Sequence, residues 1–596
     1  MVEIRSVELP ENVGTNREMI WNSDLAAEML RILDIPYIAI NPGASYRGFE
    51  DSLVNYLGNR GPQMLVCLHE DHVVSIAHGY AKVTGKPMAC ALHSNVGLMH
   101  GLMGIFNAWC DRVPMLVIGA TGPVEVERRR PWIDWIHTFK DQGAMLRHFT
   151  KWDDEPRSPM GIVQAFLKGA HMTRDLPQAP VYICLDAGLQ EQAIGRDIAL
   201  PDPRRYEPAN PPSGSPEDIA DIARRIAKAK CPVFLFGRGS RLQSDWDRRV
   251  ELAEAYSALV ITSQHERAVF PTAHPLHVGA PIDPISSEAK QALAAADLVV
   301  SFDWVDLSGL IQHVETSGGA FTGSLVHVSL DLALHNGASM DYFGIPAVDR
   351  TIKADPDAFL TQLLPALRGL PSAAVPRQQS NPTAGASTTI STGAELTSVD
   401  IEKALADERG QQKFTVAHIP LTWDGTIYDY RDPLDFLGHD GGAGLAAGPG
   451  ITIGAALALK GSGRPVISVM GDGDFLQGAT ALWTAAHYGI PALFIVANNQ
   501  SNFNDEIHQN VMASFRDRPL ENRWIGQRLS DPEIDLATIA KGQGVDGEGP
   551  VKTAETLHAA IKRGLAAVRE GRPYLIDVHI ARPKLAKASP TGRVGR

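Results

Sequence analysis

The chain has 596 residues, too many for one hydrophobic core, so about three or four domains are expected. Hydrophobic residues make up 44% and charged residues 21%, an ordinary globular composition. A formal net charge of −13 with no long basic run argues against nucleic acid or an anionic membrane surface as the main partner.

Met1 to Ser6 lacks a basic segment leading into an apolar one, so no secretory leader is expected. No stretch approaches the ~18–20 apolar residues of a membrane span, and a cytoplasmic location fits both observations. The cysteines at 67, 90, 110, 184 and 231 are scattered, and Leu65–Leu68, Val181–Cys184 and Cys231–Leu235 read as strands. Small buried hydrophobes are therefore expected at these positions, not disulfides or a metal site. Apolar β-rich runs alternate with helical patterns almost throughout, which predicts an α/β protein of doubly wound parallel sheets.

Two stretches break this rhythm. Pro201 to Ser215 is proline-rich and ends in Ser215-Pro216-Glu217-Asp218, a capped helix start. Pro371 to Gly393 has no apolar period, and beyond it Thr397 and Asp400 have the spacing of a capping box. Three blocks result, at about 16–195, 215–365 and 395–582, with a linker at 366–394 and a basic tail at 583–596.

In the third block Pro465–Met470 reads as a buried strand, followed by Gly471-Asp472-Gly473-Asp474. A predicted helix over Leu476–Tyr488 leads to a second strand, Ala492–Ala497, ending in Asn498-Asn499. One βαβ unit sets the carboxyl ends of two parallel strands side by side, so Asp472 and Asn499 converge. A carboxylate, an amide oxygen, a backbone carbonyl such as that of Ser501, and phosphate oxygens make a suitable Mg²⁺ shell. Gly471 and Gly473 let backbone approach phosphate, and the helix behind them offers free N–H groups. Either dipeptide alone is more often a turn; the spacing of the pair is what points to chemistry.

This arrangement closely resembles the thiamine-diphosphate motif of the pyruvate decarboxylase and acetohydroxyacid synthase superfamily. The resemblance implies that Asp472 and Asn499 hold Mg²⁺, with the Ser501 carbonyl expected beside them as the third protein ligand. It also implies that Gly444, Gly471, Gly473, Asp474 and Asn498 lie along the cofactor. Gly441-Gly442-Ala443-Gly444-Leu445 is similar to the family's preceding segment, in which an apolar residue, here Leu445, wedges the cofactor into a bent shape; ordinary core packing is the alternative for Leu445. In the first block, His69-Glu70 followed by Gly79-Tyr80-Ala81 and Gly85 resembles the family's glutamate motif. It implies that Glu70 of a neighbouring subunit activates the cofactor by sharing a proton with its pyrimidine, a task suited to an apolar setting that raises the carboxyl pKa. The implied domain order is pyrimidine-binding, central and diphosphate-binding, and the implied assembly is a homodimer or homotetramer with sites at the subunit interface.

Within the superfamily the chain is most similar to benzoylformate decarboxylases, through Asn41-Pro42-Gly43, Leu92-His93-Ser94 with Gly97, Asn107-Ala108-Trp109 and Phe270-Pro271-Thr272. That likeness makes His93 a catalytic imidazole handling protons at the substrate oxygen. Two departures stand out. Ala44 occupies the place of a serine that contacts the substrate carboxylate, and Asp303–Leu307 lacks the second histidine, His313 being out of register. The expected reaction is decarboxylation of a 2-oxo acid with carboligase side activity. The alternatives are a 2-hydroxyacyl-CoA lyase, an acetolactate-synthase-like carboligase acting on small oxo acids or aldehydes, and a non-catalytic cofactor-binding homologue. FAD, ADP or CoA in the central block is a further expectation, with Arg238 and Arg241 as candidate contacts. His69, His72, His100, Gln142 and Asn502 are additional polar candidates near the predicted cleft.

Overall fold

A computed structural model describes residues 8–11, 18–282, 285–317, 319, 321–331, 344–375 and 395–585. The greater part of the expected linker and the basic tail from 586 onward lie outside these residues.

The first sheet contains β1 (Tyr37–Ile40), β2 (Gln63–Val66), β3 (Met88–Leu92), β4 (Met115–Thr121), β5 (Trp152–Asp154) and β6 (Pro180–Asp186), in the order β2-β1-β3-β4-β6-β5. The second holds β7 (Pro232–Phe236), β8 (Leu259–Thr262), β9 (Leu298–Phe302), β10 (Ser324–Val328) and β11 (Arg350–Ile352), ordered β11-β10-β9-β7-β8. The third holds β12 (Thr415–His418), β13 (Val466–Gly471), β14 (Leu493–Asn498), β15 (Asp546–Val551) and β16 (Tyr574–His579), ordered β12-β13-β14-β16-β15. Every pairing between these strands is parallel. The central strands β3, β4, β6, β7, β9 and β14 are buried along their whole length, as continuous apolar runs under helices on both faces must be. This is the predicted α/β class, three times over.

Ser215 and Thr397 start helices as predicted, and each closes a capping box. The single helix expected over Leu476–Tyr488 is instead two, Asp472–Gly478 and Ala481–Tyr488. At the break, Gly478 lies so close to the Ala446 carbonyl that a Cβ there would sit 2.4 Å from its oxygen, and the next turn carries Thr480 out to bond His72. Cys67, Cys90 and Cys184 are buried as expected; Cys110 and Cys231 are only half-buried, and all five are free thiols. No helix among the described residues is long and apolar enough to cross a membrane.

The first and third sheets are joined by the crossing of the Glu70–Thr84 and Ala447–Leu459 helices. Glycine makes this crossing possible. A Cβ on Gly79 would lie 2.0 Å from the Ile451 carbonyl oxygen, and one on Gly454 would lie 1.9 Å from that of Ile76. One hydrophobic core consequently runs from Ala39, Leu65 and Val74 through Ile453 and Phe475 to Phe494 and Leu575.

Candidate active site

The chain leaves β13 at Gly471 and enters a helix at Asp472, whose carboxylate is buried. Its Oδ1 accepts the Gly473 N–H at 2.9 Å and its Oδ2 the Ser501 N–H at 3.1 Å, so the carboxylate bridges the ends of β13 and β14. Burial pushes its pKa up to about 6 against the pull of these backbone donors. Just past the end of the neighbouring strand β14, Asn499 Oδ1 is buried with no hydrogen-bond partner among the described residues. A buried orphan oxygen costs about 1–3 kcal/mol unless something occupies it. A hard divalent cation fits: the acceptors are oxygens, one carries charge, and both sit at adjacent strand ends.

The other predicted residues of this block divide by environment. The Ser501 hydroxyl donates to Glu506 at 2.6 Å and its carbonyl accepts the Phe503 N–H at 2.7 Å. The Asn498 amide is taken up within the fold, donating to Asp577 and accepting from Gln500 N–H. Asp474 accepts the Ala446 N–H at 2.8 Å and pairs with His418 at 2.9 Å, bracing the glycine-rich loop that precedes it. In that loop Gly442 and Gly444 press against Asn107 and Met103 of the first domain, where Cβ atoms would approach to 2.3 and 2.6 Å. Leu445 is 51% exposed, so its side chain is not a core residue of this chain. A Cβ on Gly471 would meet nothing within 4 Å, whereas one on Gly473 would meet Asn502 Oδ1 at 2.7 Å.

In the first sheet the strand order reverses between β1 and β3, and a crevice opens at the carboxyl ends of strands at such a point. The loop after β1 carries Asn41 to Ser45; the loop after β3 carries His93. Glu70 begins its helix nearby, with the side chain of His69 as N-cap. The Glu70 carboxylate is buried, bonds His100 Nδ1 at 3.1 Å and lies over Gly97, where a Cβ would come within 3.0 Å of Oε1. The sequence suggested an apolar setting that raises its pKa. The structure reverses this: burial pushes the pKa up, but hydrogen bonds from its own backbone N–H, His100 and Asn41 outweigh that and hold it below the usual glutamate range. The next residue, Asp71, is pushed up to about 7 by burial and by Asp474 and Asp440 across the domain seam.

His93 is half-buried and its ring rests directly on Gly43, where a Cβ would collide with it at 2.3 Å. Ser45 Oγ lies 2.9 Å from Nδ1. The His137 ring meets the His93 ring edge-on at 4.8 Å, held there by Ser94 Oγ on the His137 carbonyl. Burial first, then His137 and Arg130, lower the His93 pKa against the opposite pull of Glu70. Ser45 and His137 were not singled out from sequence; nothing local marks them, although the Asn41–Ser45 stretch was noted for what Ala44 lacks. Of the additional candidates, His69 and His100 gather at Glu70, stacked 5.1 Å apart, and His72 bonds Thr480 across the seam. Gln142 is spent in the core on Ala120 and Tyr182.

A cavity of about 800 Å³ lies where the central domain meets the other two, with Arg112, Arg238, Arg241, Arg267, Trp304 and Asp331 in its wall. Arg238 and Arg112 both pair with Asp331, at 3.1 and 2.7 Å.

Three stretches match thiamine pyrophosphate enzyme families in chain order: the N-terminal TPP binding domain over 21–145, the central domain over 219–362 and the C-terminal TPP binding domain over 421–578. The chain belongs to the thiamine pyrophosphate enzymes. As such an enzyme it is 26% identical to the benzoylformate decarboxylase of Pseudomonas aeruginosa over 560 residues, covering 92% of this chain and 97% of that one. It is 23% identical to the acetolactate synthase large subunit of Lactococcus lactis, over 94% of this chain and 92% of the relative. In fold it matches the thiamine diphosphate-dependent 4-hydroxybenzoylformate decarboxylase of Rhodococcus jostii with a TM-score of 0.74 at 22% identity, over 94% and 99% of the two chains. The benzoylformate decarboxylase of Polynucleobacter necessarius gives 0.71 at 20%, over 95% and 99%. This thiamine pyrophosphate enzyme thus keeps all three domains of its relatives.

Proposed function

We propose that this enzyme decarboxylates a 2-oxo acid, using thiamine diphosphate held through Mg²⁺, with carboligation of aldehydes as a side reaction. The observation that carries the reading is the pair Asp472 and Asn499, an acid and an orphan amide oxygen converging at adjacent strand ends. Asp472, Asn499 and the Ser501 backbone would ligate the metal. Gly471, with open space before it, lets the backbone approach a diphosphate, and Leu445 would bear on the cofactor. Thiamine diphosphate supplies an acidic C–H and a cationic ring that accepts the electron pair of the breaking carbon–carbon bond. Glu70 of a second subunit would take up and return a proton at the pyrimidine; His93 addresses the substrate oxygen. The active unit is a homodimer or homotetramer of a cytoplasmic enzyme. Metal-stripped protein titrated with thiamine diphosphate and Mg²⁺, then offered 2-oxo acids, 2-hydroxyacyl-CoAs and aldehydes, tests the reading. Saturable binding with turnover of 2-oxo acids supports it; binding with turnover only of acyl-CoAs or of carboligation pairs replaces it. Asp472→Ala should abolish Mg²⁺-dependent binding in calorimetry, and unchanged affinity refutes the metal assignment. Glu70→Gln should lower turnover by about 10²–10⁴-fold with the fold intact.

A nucleotide in the central cavity is the second reading. Arg241 Nε and Arg267 Nη2 both donate to the Lys82 carbonyl, at 2.7 and 2.9 Å, and neither has a carboxylate partner among the described residues. Two guanidinium groups without an ion-paired carboxylate among the described residues suit the phosphates of ADP, CoA or FAD. Flavin absorbance of the purified protein and calorimetry with ADP and CoA decide it; no response to any of the three rejects it.

A further inference from the structure

The hydrogen bonds around His93 identify which ring nitrogen carries its proton. Ser45 presents two groups to Nδ1: its hydroxyl at 2.9 Å and its backbone N–H at 3.4 Å. A backbone N–H can only donate, so Nδ1 must accept. A neutral imidazole has one N–H, which then resides on Nε2. Protonating Nδ1 as well would set N–H against N–H, so the same contact disfavours the imidazolium. Nε2 has no hydrogen-bond partner among the described residues.

The ring has little freedom to escape this arrangement. It lies on the bare backbone of Gly43, the Tyr46 ring stands edge-on to it at 6.2 Å and the His137 ring at 4.8 Å, and Gly97 packs against its Cβ. Ser45 is itself held in place: the residue is buried, and its backbone carbonyl accepts Gln190 Nε2 at 3.1 Å. Three titratable or charged groups act on the His93 ring, namely His137, Arg130 and Glu70.

We propose that Ser45 is a positioning residue that locks His93 as the neutral Nε2–H form. His93 then serves as a fixed hydrogen-bond donor to the substrate's carbonyl oxygen, not as a base that takes up a proton there. The hydroxyl absent at Ala44 is thus replaced one residue along by a hydroxyl with a different task. It orients the imidazole instead of contacting the substrate. As charge grows on the carbonyl oxygen when the carbonyl carbon is attacked, before the carbon–carbon bond breaks, an Nε2–H already aimed and uncharged stabilises it without moving a proton. This inference rests on the decarboxylase reading only for the identity of the oxygen; the protonation state of His93 stands apart from it.

The test uses holoenzyme with thiamine diphosphate and Mg²⁺, ring-¹⁵N-labelled at its 20 histidines, with benzoylformate as the substrate probe. Two-bond ¹H–¹⁵N spectra at pH 7.5 report each ring's protonation, and His93 is assigned by its loss in His93→Gln. The expected wild-type state is protonated Nε2 and bare Nδ1. Ser45→Ala removes the 2.9 Å hydroxyl contact and leaves only the longer 3.4 Å backbone N–H to hold Nδ1 as an acceptor; it should populate the Nδ1–H form in part and lower kcat on benzoylformate about tenfold with KM nearly unchanged, the scale of one hydrogen bond. Ser45→Thr should restore both. A wild-type His93 protonated at Nδ1 or at both nitrogens overturns the proposal, and so does a Ser45→Ala spectrum identical to wild type. An enzyme inert toward benzoylformate would count against the decarboxylase reading, while the ring spectra still decide on Ser45.

Discussion

At the scale of single residues, two glycines do much of the site's work by what they lack. Gly43 leaves room for the His93 ring and Gly97 for the Glu70 carboxylate. Gly97→Ala places a methyl 3.0 Å from Glu70 Oε1 and 3.2 Å from its Cγ, so the carboxylate must shift by a few tenths of an ångström. A turnover loss on the order of tenfold is expected with little change in melting temperature, because misplaced catalytic groups cost rate before they cost stability. Steady-state kinetics beside calorimetry checks this. Both glycines were visible in sequence as members of motifs, yet their purpose was not. Nor were Ser45 and His137 visible as neighbours of His93, because they lie 48 and 44 residues from it and meet only where two strand ends and one loop come together. Asp472 and Asn499 were legible for the opposite reason: one βαβ unit fixes their approach with no distant element involved.

At the scale of elements, the crossing of the Glu70–Thr84 and Ala447–Leu459 helices depends on backbone-to-backbone contact. Gly79→Ala should force the helices apart and destabilise the protein on the order of 3 kcal/mol, read as a lower denaturant midpoint. A second element-scale prediction concerns Glu402, on the Ser398–Arg409 helix, which accepts the Asp424 and Gly425 N–H groups at 2.5 and 3.3 Å. Burial pushes its pKa up to about 8, so the folded protein binds a proton there that the unfolded chain has released. That contribution is fully present below the ordinary glutamate range and is lost as pH rises through about 8. Melting temperature should therefore fall between about pH 5 and pH 8, and Glu402→Gln should flatten this slope; an unaltered slope would assign the effect elsewhere. Strands and caps were readable because burial on both faces and capping chemistry are local. The split of the Leu476–Tyr488 helix was not, since the residues at the break meet partners distant in sequence, Gly478 the Ala446 carbonyl and Thr480 the His72 ring.

At the scale of the molecule, Trp132 and Trp135 are 70% and 74% exposed, on the loop that also carries His137, and Trp132 holds a positive φ of 67° that few non-glycine residues adopt. Phe515, Trp524 and Ile525 of the third domain are likewise exposed. These exposed side chains are the candidates for the subunit interface proposed above. Trp135→Asp should shift the protein toward monomer in light scattering and remove activity in step. A fully active monomer would mean that each chain completes its own site.

The shared core beneath the helix crossing also bears on how this protein is made. Its apolar wall is contributed by residues from Ala39 to Leu575. While a ribosome is still adding the central domain, the helix face of Ser75, Ile76 and Gly79 has yet to receive the Ala447–Leu459 helix that packs on it. The first domain is therefore expected to complete this shared core only when the third has been made, and to carry an aggregation-prone surface until then. A fragment ending at residue 375 should accordingly be insoluble without a chaperone, even though it contains two complete sheets.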